Sequence, residues 1–363
     1  MLLALLGGGC AGDDERAARP LQPNVEPMLE HVRSQGAPGV VALVRNRSGT
    51  WRFATGAATL EPKRTMRVRD RLRVASVTKT FVATVVLQLV GEGRLALDDK
   101  VEQRLPGLLR TARGATVRQF LNHTSGLTGF PDEATFQRFR EEPRLYVPPR
   151  KAVAFATTSS ERFEPGAGWA YTNAGYEVLG LLVERVTGDS LGHVLAKRIF
   201  EPLQLRHTSL EPHPGSPEGS AHGYALPGSD FLEPTATQPH DVTDRVTPGV
   251  RAAGAIVSTV DDVARFYHAL FSGQLLPPEM LRQMLRTVPT GSTPGSNQQG
   301  LGVYRYERAC GFAWGHGGVF TGYMTSVMAS RDGSHVVVIA ANGHNQQVED
   351  AVFATAEKLY CHS

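Results

Sequence analysis

The chain has 363 residues, of which 41% are hydrophobic and 20% are charged, and its formal net charge is +3. This composition is typical of a packed globular protein, and the length favours two intergrown lobes. No segment has the roughly 20 continuous apolar residues of a membrane-spanning helix. The basic residues are scattered along the chain, so we expect no nucleic-acid partner.

Residues 1–23 are typical of a secretion signal followed by a polar tether. Cys10 follows M-L-L-A-L-L-G-G-G and precedes the polar A-G-D-D-E-R, which is the order found where a bacterial lipoprotein signal ends at a lipidated cysteine. The apolar stretch is short and Gly7 stands where leucine is preferred, so a disordered N-terminal segment is the alternative. The pattern predicts an extracytoplasmic protein, secreted or tethered through Cys10 to the outer face of the cytoplasmic membrane.

The predicted elements of residues 24–363 are grouped by type. An amphipathic helix over 24–36 precedes a hairpin that turns at 47–49, and a second hairpin, around R-D-G at 331–333, precedes a C-terminal helix. The middle of the chain is mostly helical in pattern. We therefore predict an α/β (α+β) fold in which both chain ends, about 24–75 and 286–363, form an antiparallel sheet flanked by the terminal helices. An all-α lobe, about 76–285, is inserted between them.

Ser76 and Lys79 form an S-V-T-K motif at the start of a predicted helix. Val77, Phe81 and Val85 give this segment a helical period, so the two polar side chains lie on one face, about one turn apart. A serine hydroxyl becomes a nucleophile when a neighbouring base takes its proton, and a lysine, or a lysine and tyrosine pair, can be that base.

Two later motifs support the same chemistry. Tyr171 and Asn173 form Y-T-N after a Pro/Gly-rich loop, and His316 begins H-G-G beside a predicted strand. Each motif alone is common and could be a simple turn, but their combination and order are typical of serine acyl transfer. The chain has no G-x-S-x-G, H-E-x-x-H or C-x-x-C motif, which disfavours an α/β-hydrolase and metal catalysis.

With these motifs, the chain resembles the family of serine D-alanyl-D-alanine carboxypeptidases and class C β-lactamases, and within it the secreted DD-carboxypeptidases. The similarity runs from Q-G-A-P-G-V-V at 35 to Cys361 and includes L-Q-L-V-G-E-G-R-L-A-L-D-D at 87–99, F-L-N-H-T-S-G-L at 120–127 and A-G-A-I-V-S-T at 253–259. The resemblance implies a β-lactamase/transpeptidase-like fold with the active site between the lobes. It also implies a disulfide between Cys310 and Cys361. We expect no metal and no organic cofactor.

The resemblance implies a role for each site residue. Ser76 would attack the acyl carbonyl, and Lys79 would stay charged and lower the pKa of Tyr171, whose phenolate is then the general base. The backbone N–H groups of Ser76 and Val319 would form the oxyanion hole. The residues expected to bind substrate are Asn173, Gly317, Gly318 and Arg305.

The third motif departs from the pattern of the DD-carboxypeptidases. There it is usually H-T-G followed by another threonine, and those hydroxyls grip the carboxylate of D-Ala-D-Ala. Here His316 would shuttle protons or hold that carboxylate, but Gly317 and Val319 have no hydroxyl. Arg305 is near the place of a carboxylate-binding arginine, although Tyr304 occupies its register.

We therefore predict a monomeric serine hydrolase that acts through an acyl-enzyme on a small peptide or ester, with β-lactams as covalent ligands. The leading substrates are D-alanyl-D-alanine peptides of the cell wall. An esterase, a β-lactamase or a D-amino-acid amidase of the same fold is the alternative. A non-catalytic penicillin-binding sensor is the alternative from another class, and the intact set of Ser76, Lys79 and Tyr171 argues against it.

Overall fold

The computed structural model describes residues 25–128, 137–138, 141–157, 161–213, 215–229, 237–245, 250–291 and 297–363. The strands, β1 to β15 in chain order, are Gly39–Asn46, Gly49–Thr59, Arg64–Thr65, Leu72–Arg73, Ser209–Leu210, Tyr224–Ala225, His240–Asp241, Ile256–Ser258, Val288–Pro289, Gln298–Gln299, Tyr304–Arg308, Gly311–Phe320, Tyr323–Ala329, Val336–Ala341 and Gly343–His344. The helices, α1 to α10, are Glu26–Ser34, Thr78–Gly91, Val101–Arg104, Val117–Leu121, Pro149–Ala156, Asn173–Thr187, Leu191–Leu195, Val260–Phe271, Pro278–Met284 and Gln346–His362.

The main sheet has nine strands in the order β3-β2-β1-β14-β13-β12-β11-β10-β9. The two chain ends meet where β1 pairs antiparallel with β14, with Val40 opposite Ala341. Both predicted hairpins are confirmed, because Asn46 pairs with Gly49 across a two-residue turn and β13 pairs with β14. The predicted antiparallel sheet from both chain ends is therefore present.

The central strands are buried on both faces. Along β1, Val41 and Leu43 pack against the helical layer, whereas Val40, Ala42 and Val44 pack against α1 and α10. Each fully buried valine or leucine contributes roughly 1.5–3 kcal/mol of hydrophobic free energy. The terminal helices therefore lie on one face of the sheet, as predicted.

Two helices differ from the sequence prediction. The helix predicted to start at Ser76, with one apolar stripe, is α2. It begins at Thr78 and is buried on nearly all sides up to Leu89, so its polar residues face other elements rather than solvent. Helix α8 lies in the range predicted for the all-α lobe, but it packs against β1 and β14 and covers the sheet. Within the described ranges, no helix is both long and apolar enough to cross a bilayer.

Cys310 and Cys361 form a disulfide, with their Cα atoms 5.4 Å apart. Cys310 lies in the turn before β12 and Cys361 in the last turn of α10. The bridge therefore fixes the end of the C-terminal helix to the start of β12. Cys10 and the rest of the predicted signal and tether lie outside the described residues.

Candidate active site

Ser76 lies in a tight turn between β4 and α2. Residues Ala75–Val77 form a 3-10 turn, and Ala75 has a φ of +51°, a left-handed conformation that costs a residue with a Cβ roughly 1–2 kcal/mol. The backbone N–H of Ile256 donates to Thr78 Oγ1 over 3.1 Å and joins the turn to β8. Ser76 is therefore held in a bend immediately before the helix rather than inside it.

The polar side chains predicted to act together converge on Ser76. Lys79 Nζ lies 3.0 Å from Ser76 Oγ, and Tyr171 donates its phenolic O–H to the same oxygen over 2.8 Å. Lys79 Nζ also donates to Asn173 Oδ1 and to the carbonyl O of Ala253, each over 2.8 Å. The serine hydroxyl therefore lies within proton-transfer distance of both an amine and a phenol.

Burial shifts the pKa values of Lys79 and Tyr171 in the directions opposite to those needed for Tyr171 to be the base. Burial lowers the pKa of Lys79 well below its usual range, which favours the neutral amine. Burial, with the neighbouring Tyr304, raises the pKa of Tyr171, and the hydrogen bond to Ser76 offsets this only in part. Both directions are opposite to the expectation that a charged Lys79 lowers the pKa of Tyr171, and they favour a neutral Lys79 with Tyr171 as a proton donor at rest.

Strand β12 runs directly alongside the turn that carries the serine. A Cβ on Gly318 would clash with the carbonyl O of Val74 and lie 3.1 Å from the backbone N of Ser76, so only glycine allows this approach. Val319, the next residue, lines the same cleft as Ser76, and its side chain is exposed. The two predicted donors of the oxyanion hole thus lie on adjacent segments.

His316 is buried in the wall of the cleft as a neutral acceptor. Burial, and to a smaller extent Lys79, lowers the pKa of His316 to about 3. Its Nδ1–H donates to the carbonyl O of Gly317, which leaves Nε2 buried and without a hydrogen-bond partner among the described residues. An unprotonated Nε2 suits a substrate N–H or O–H and has no charge with which to attract a carboxylate.

Gly317 faces the other side of β12 from His316. An aromatic ring that the sequence did not reveal fills the space there. A Cβ on Gly317 would lie 2.7 Å from Cζ of Phe353, on α10. The predicted substrate-binding role of Arg305 is wrong: its guanidinium stacks 3.6 Å from the ring of Phe312 and donates to Gln298, away from the cleft. The neighbouring residue Tyr304 does line the cleft, with its ring 5.1 Å from that of His316.

The cleft encloses about 660 Å³ and its walls are rich in aromatic side chains. These rings belong to Trp169, Tyr171, Tyr304, Tyr306, Phe320 and Phe353. Among the described residues that line the cleft, the one arginine is Arg308. Its Nε lies 3.4 Å from a carboxylate oxygen of Glu357. The site is therefore a large, mostly apolar cleft around one activated hydroxyl, as is usual for small organic substrates.

Several residues of the site could not be found by pattern. Ala253 belongs to the A-G-A segment noted in the sequence, but its carbonyl acts through the backbone, which residue identity does not reveal. Glu177 is a fully buried carboxylate on α6, four residues after Asn173, in a stretch that reads as an ordinary amphipathic helix. Phe353 is one of several apolar residues of α10.

Known proteins with similar sequences and structures are serine hydrolases and penicillin-binding proteins. Esterase EstB of Burkholderia gladioli is 32% identical over 72% of each chain, and penicillin-binding protein 4* of Bacillus subtilis is 25% identical over 88% of this chain and 72% of that protein. A D-stereospecific amidohydrolase from Streptomyces sp. superimposes with a TM-score of 0.80 at 34% identity, covering 91% of this chain and 99% of that one.

The β-lactamase family model matches residues 21–360, nearly the whole chain. That range contains the complete sheet, the helical layer and every residue around Ser76. The fold predicted from the resemblance is confirmed. The chain belongs to the β-lactamase family of serine hydrolases.

Proposed function

We propose that this enzyme hydrolyses neutral esters and amides through an acyl-enzyme on Ser76, and that it acts poorly on peptides with a free C-terminal carboxylate. The observation that carries the proposal is the phenyl ring of Phe353 against Gly317. It occupies the side of β12 where DD-carboxypeptidases present a threonine hydroxyl to the substrate carboxylate. An apolar ring disfavours a charged group, because a carboxylate there would lose its hydration without a partner.

In the proposed reaction, Lys79 acts as the neutral amine. Its lone pair takes the proton of Ser76 while its two N–H groups donate to Asn173 Oδ1 and the carbonyl O of Ala253. Ser76 Oγ then bonds to the acyl carbon, and the carbonyl oxygen becomes an oxyanion at the backbone N–H groups of Ser76 and Val319. Tyr171 gives its proton to the leaving oxygen or nitrogen and regains one from the Lys79 ammonium. A water molecule repeats the sequence and releases the acid.

The relatives support the ester and amide assignment over the predicted carboxypeptidase. The esterase and the D-stereospecific amidohydrolase share 32% and 34% identity with this chain, more than the 25% of the penicillin-binding protein. The D-alanyl-D-alanine carboxypeptidase activity favoured by the sequence is the competing function. It requires partners for a carboxylate, and in this chain positions 317 and 319 have no hydroxyl and position 304 has no positive charge.

The test compares three substrates on one enzyme. We expect p-nitrophenyl acetate and a diacyl-Lys-D-Ala-D-alaninamide to be cleaved with higher kcat/KM than the matching diacyl-Lys-D-Ala-D-Ala peptide. A fluorophosphonate, which has no carboxylate, should label the wild type and not Ser76→Ala. A large preference for the free-carboxylate peptide would support the carboxypeptidase instead, and labelling that survives Ser76→Ala would remove Ser76 as the nucleophile.

We also propose that the enzyme acts outside the cytoplasm. The disulfide between Cys310 and Cys361 supports this location, because such bonds persist in oxidising compartments. The lipid anchor at Cys10 stays a prediction. Metabolic labelling with a palmitate analogue would test it, with Cys10→Ala as the control.

A further inference from the structure

Helix α6, which begins at Asn173, presents one polar stripe to the segment 250–254. The polar residues of this stripe are Asn173, Glu177 and Glu184, and Gly180 lies between the two glutamates. Their spacings of four, three and four residues place them on one face of the helix. A Cβ on Gly180 would lie 2.7 Å from the Cβ of Ala252, so this glycine allows the segment to pack closely on the helix. Glu184 accepts from Arg251 Nη1 over 2.6 Å.

The peptide of Ala253 connects this stripe to the amine beside the nucleophile. Its backbone N–H donates to Glu177 Oε1 over 3.0 Å, and its carbonyl O accepts from Lys79 Nζ over 2.8 Å. The backbone N–H groups of Ala252 and Arg251 also lie on the side of the Glu177 carboxylate and lower its pKa, whereas its second oxygen, Oε2, has no hydrogen-bond partner among the described residues. A buried carboxylate therefore holds the turn before β8 that supplies one of the three partners of Lys79.

Glu177 is the carboxylate whose negative charge acts on Lys79. Glu177 acts against the burial that lowers the pKa of Lys79. Around Glu177 itself, Arg251 Nε lies 3.9 Å from Oε2 and is shared with Glu184. The other titratable groups that face Lys79 are the two phenols of Tyr171 and Tyr176, whose rings lie 4.8 and 5.6 Å from Nζ, and the imidazoles of His123 and His316.

Those phenols and imidazoles are neutral around pH 7. Burial raises the pKa of both tyrosines, lowers that of His123 well below its usual range and lowers that of His316 to about 3. They therefore do not replace a carboxylate as counter-charge to an ammonium.

We propose that Glu177 is a positioning residue for acyl transfer, which holds the carbonyl of Ala253 against the amine of Lys79 and supplies the negative charge that this amine faces. The proposal rests on the proposed roles of Ser76 and Lys79. It explains why a fully buried carboxylate stands behind the site without touching Ser76.

The sign of the expected effect follows from electrostatics. A negative charge favours the ammonium form, so its removal makes Lys79 lose its proton at lower pH. If the neutral amine takes the proton of Ser76, the acid limb of the kcat/KM profile then moves to lower pH, by on the order of one pH unit. Burial raises the pKa of Glu177 to about 7, while Arg251 and the backbone N–H groups oppose this, so the carboxylate itself titrates within the assay range.

Three variants separate charge from support. Glu177→Gln keeps an oxygen for the N–H of Ala253 and removes the charge, whereas Glu177→Ala removes both. Glu184→Gln is the matched control, because it alters the same ion-pair network at Arg251 without contacting Ala253. Two readouts are measured from pH 5 to 9. One is kcat and KM for hydrolysis of p-nitrophenyl acetate, and the other is the rate of labelling by a fluorophosphonate.

We expect Glu177→Gln to shift the acid limb to lower pH with KM little changed, and Glu177→Ala to lose at least about tenfold in kcat through misplacement of Lys79. Glu184→Gln should follow the wild-type profile. Coincident profiles for Glu177→Gln and wild type, or an equal shift for Glu184→Gln, would overturn the proposal.

A measurement on the wild type covers the case in which the Glu177 variants do not fold. In protein labelled with [13Cε]lysine, Lys79 should titrate in two steps, one of them coupled to a carboxyl group near pH 7, and a single step would overturn the proposal. This arm requires no turnover. It therefore tests Glu177 even if the proposed substrates are wrong, whereas a wild type that no fluorophosphonate labels would refute the proposed function alone.

Discussion

The ring of Phe353 lies against the α-carbon of Gly317, so closely that an added Cβ would stand 2.7 Å from Cζ. One residue belongs to the third sequence motif, and the other to the C-terminal helix that the disulfide fixes to the start of β12. Because the two positions share one space, a threonine at 317 requires the ring of Phe353 to move. We therefore propose that this pair of residues decides which substrates fit this side of the site.

We therefore expect a hydroxyl at position 317 to bind substrate only when a second change makes room for it. Gly317→Thr alone should lose activity on all substrates, since the new side chain meets the ring. Gly317→Thr with Phe353→Ala should raise kcat/KM for a D-Ala-D-Ala peptide relative to a neutral ester by roughly ten- to a hundredfold, the effect of one charge-assisted hydrogen bond. Phe353→Ala alone is the control. A double variant with an unchanged ratio would show that carboxylate recognition is not decided here.

Tyr171→Phe should separate a proton donor from a base. If Tyr171 protonates the leaving group, the variant should lose kcat by on the order of a hundredfold on an amide and much less on a p-nitrophenyl ester, whose leaving group needs no proton. Tyr304→Phe, which removes a phenol of the same cleft without a bond to Ser76, is the control. Equal losses of Tyr171→Phe on both substrates would instead support the base role predicted from the sequence.

His316 should weaken the fold in acid. Its pKa in the folded protein is about 3, below that of an exposed imidazole, so the unfolded chain binds the proton first as pH falls. The stability is fully present above about pH 6.5 and is lost as the pH falls towards 3, by roughly 2 kcal/mol between pH 7 and 4.5.

Urea denaturation at the two pH values measures this loss of stability. The variant His316→Gln, which cannot be protonated, should lose less than the wild type over the same range. His123, whose pKa burial also lowers, stays in both proteins and cancels in the comparison. Equal losses for the two proteins would contradict the assigned neutral state of His316.

The disulfide should contribute stability and also order the cleft. The bridged cysteines are 51 residues apart, and closing such a loop stabilises a fold by roughly 4 kcal/mol on the chain-entropy model. We expect Cys310→Ser with Cys361→Ser to lower the midpoint of thermal unfolding and to weaken the preference for neutral substrates, because α10 carries Phe353. Mass spectrometry of non-reduced wild-type protein should show the two peptides linked. Free thiols in protein from an oxidising compartment would contradict the bridge.

The local sequence determined much of the fold and the main reactive groups. Alternating and helical apolar patterns predicted the hairpin at 47–49, the helix over 24–36 and the sheet from both chain ends, because such periods depend on near neighbours. Ser76, Lys79, Tyr171 and His316 were recognisable because acyl transfer needs these residue types in few arrangements.

Only the tertiary structure decided how those groups are tuned and what they accept. The protonation of Lys79 and of Tyr171 depends on burial, and that of Lys79 depends also on Glu177, which is nearly a hundred residues away in the chain. The position of Arg305 in the sequence suggested a carboxylate-binding residue, yet its guanidinium packs on the ring of Phe312. The ring that fills the space beside Gly317 comes from the other end of the fold. Desolvation and steric exclusion act through space, so residue spacing along the chain does not encode them.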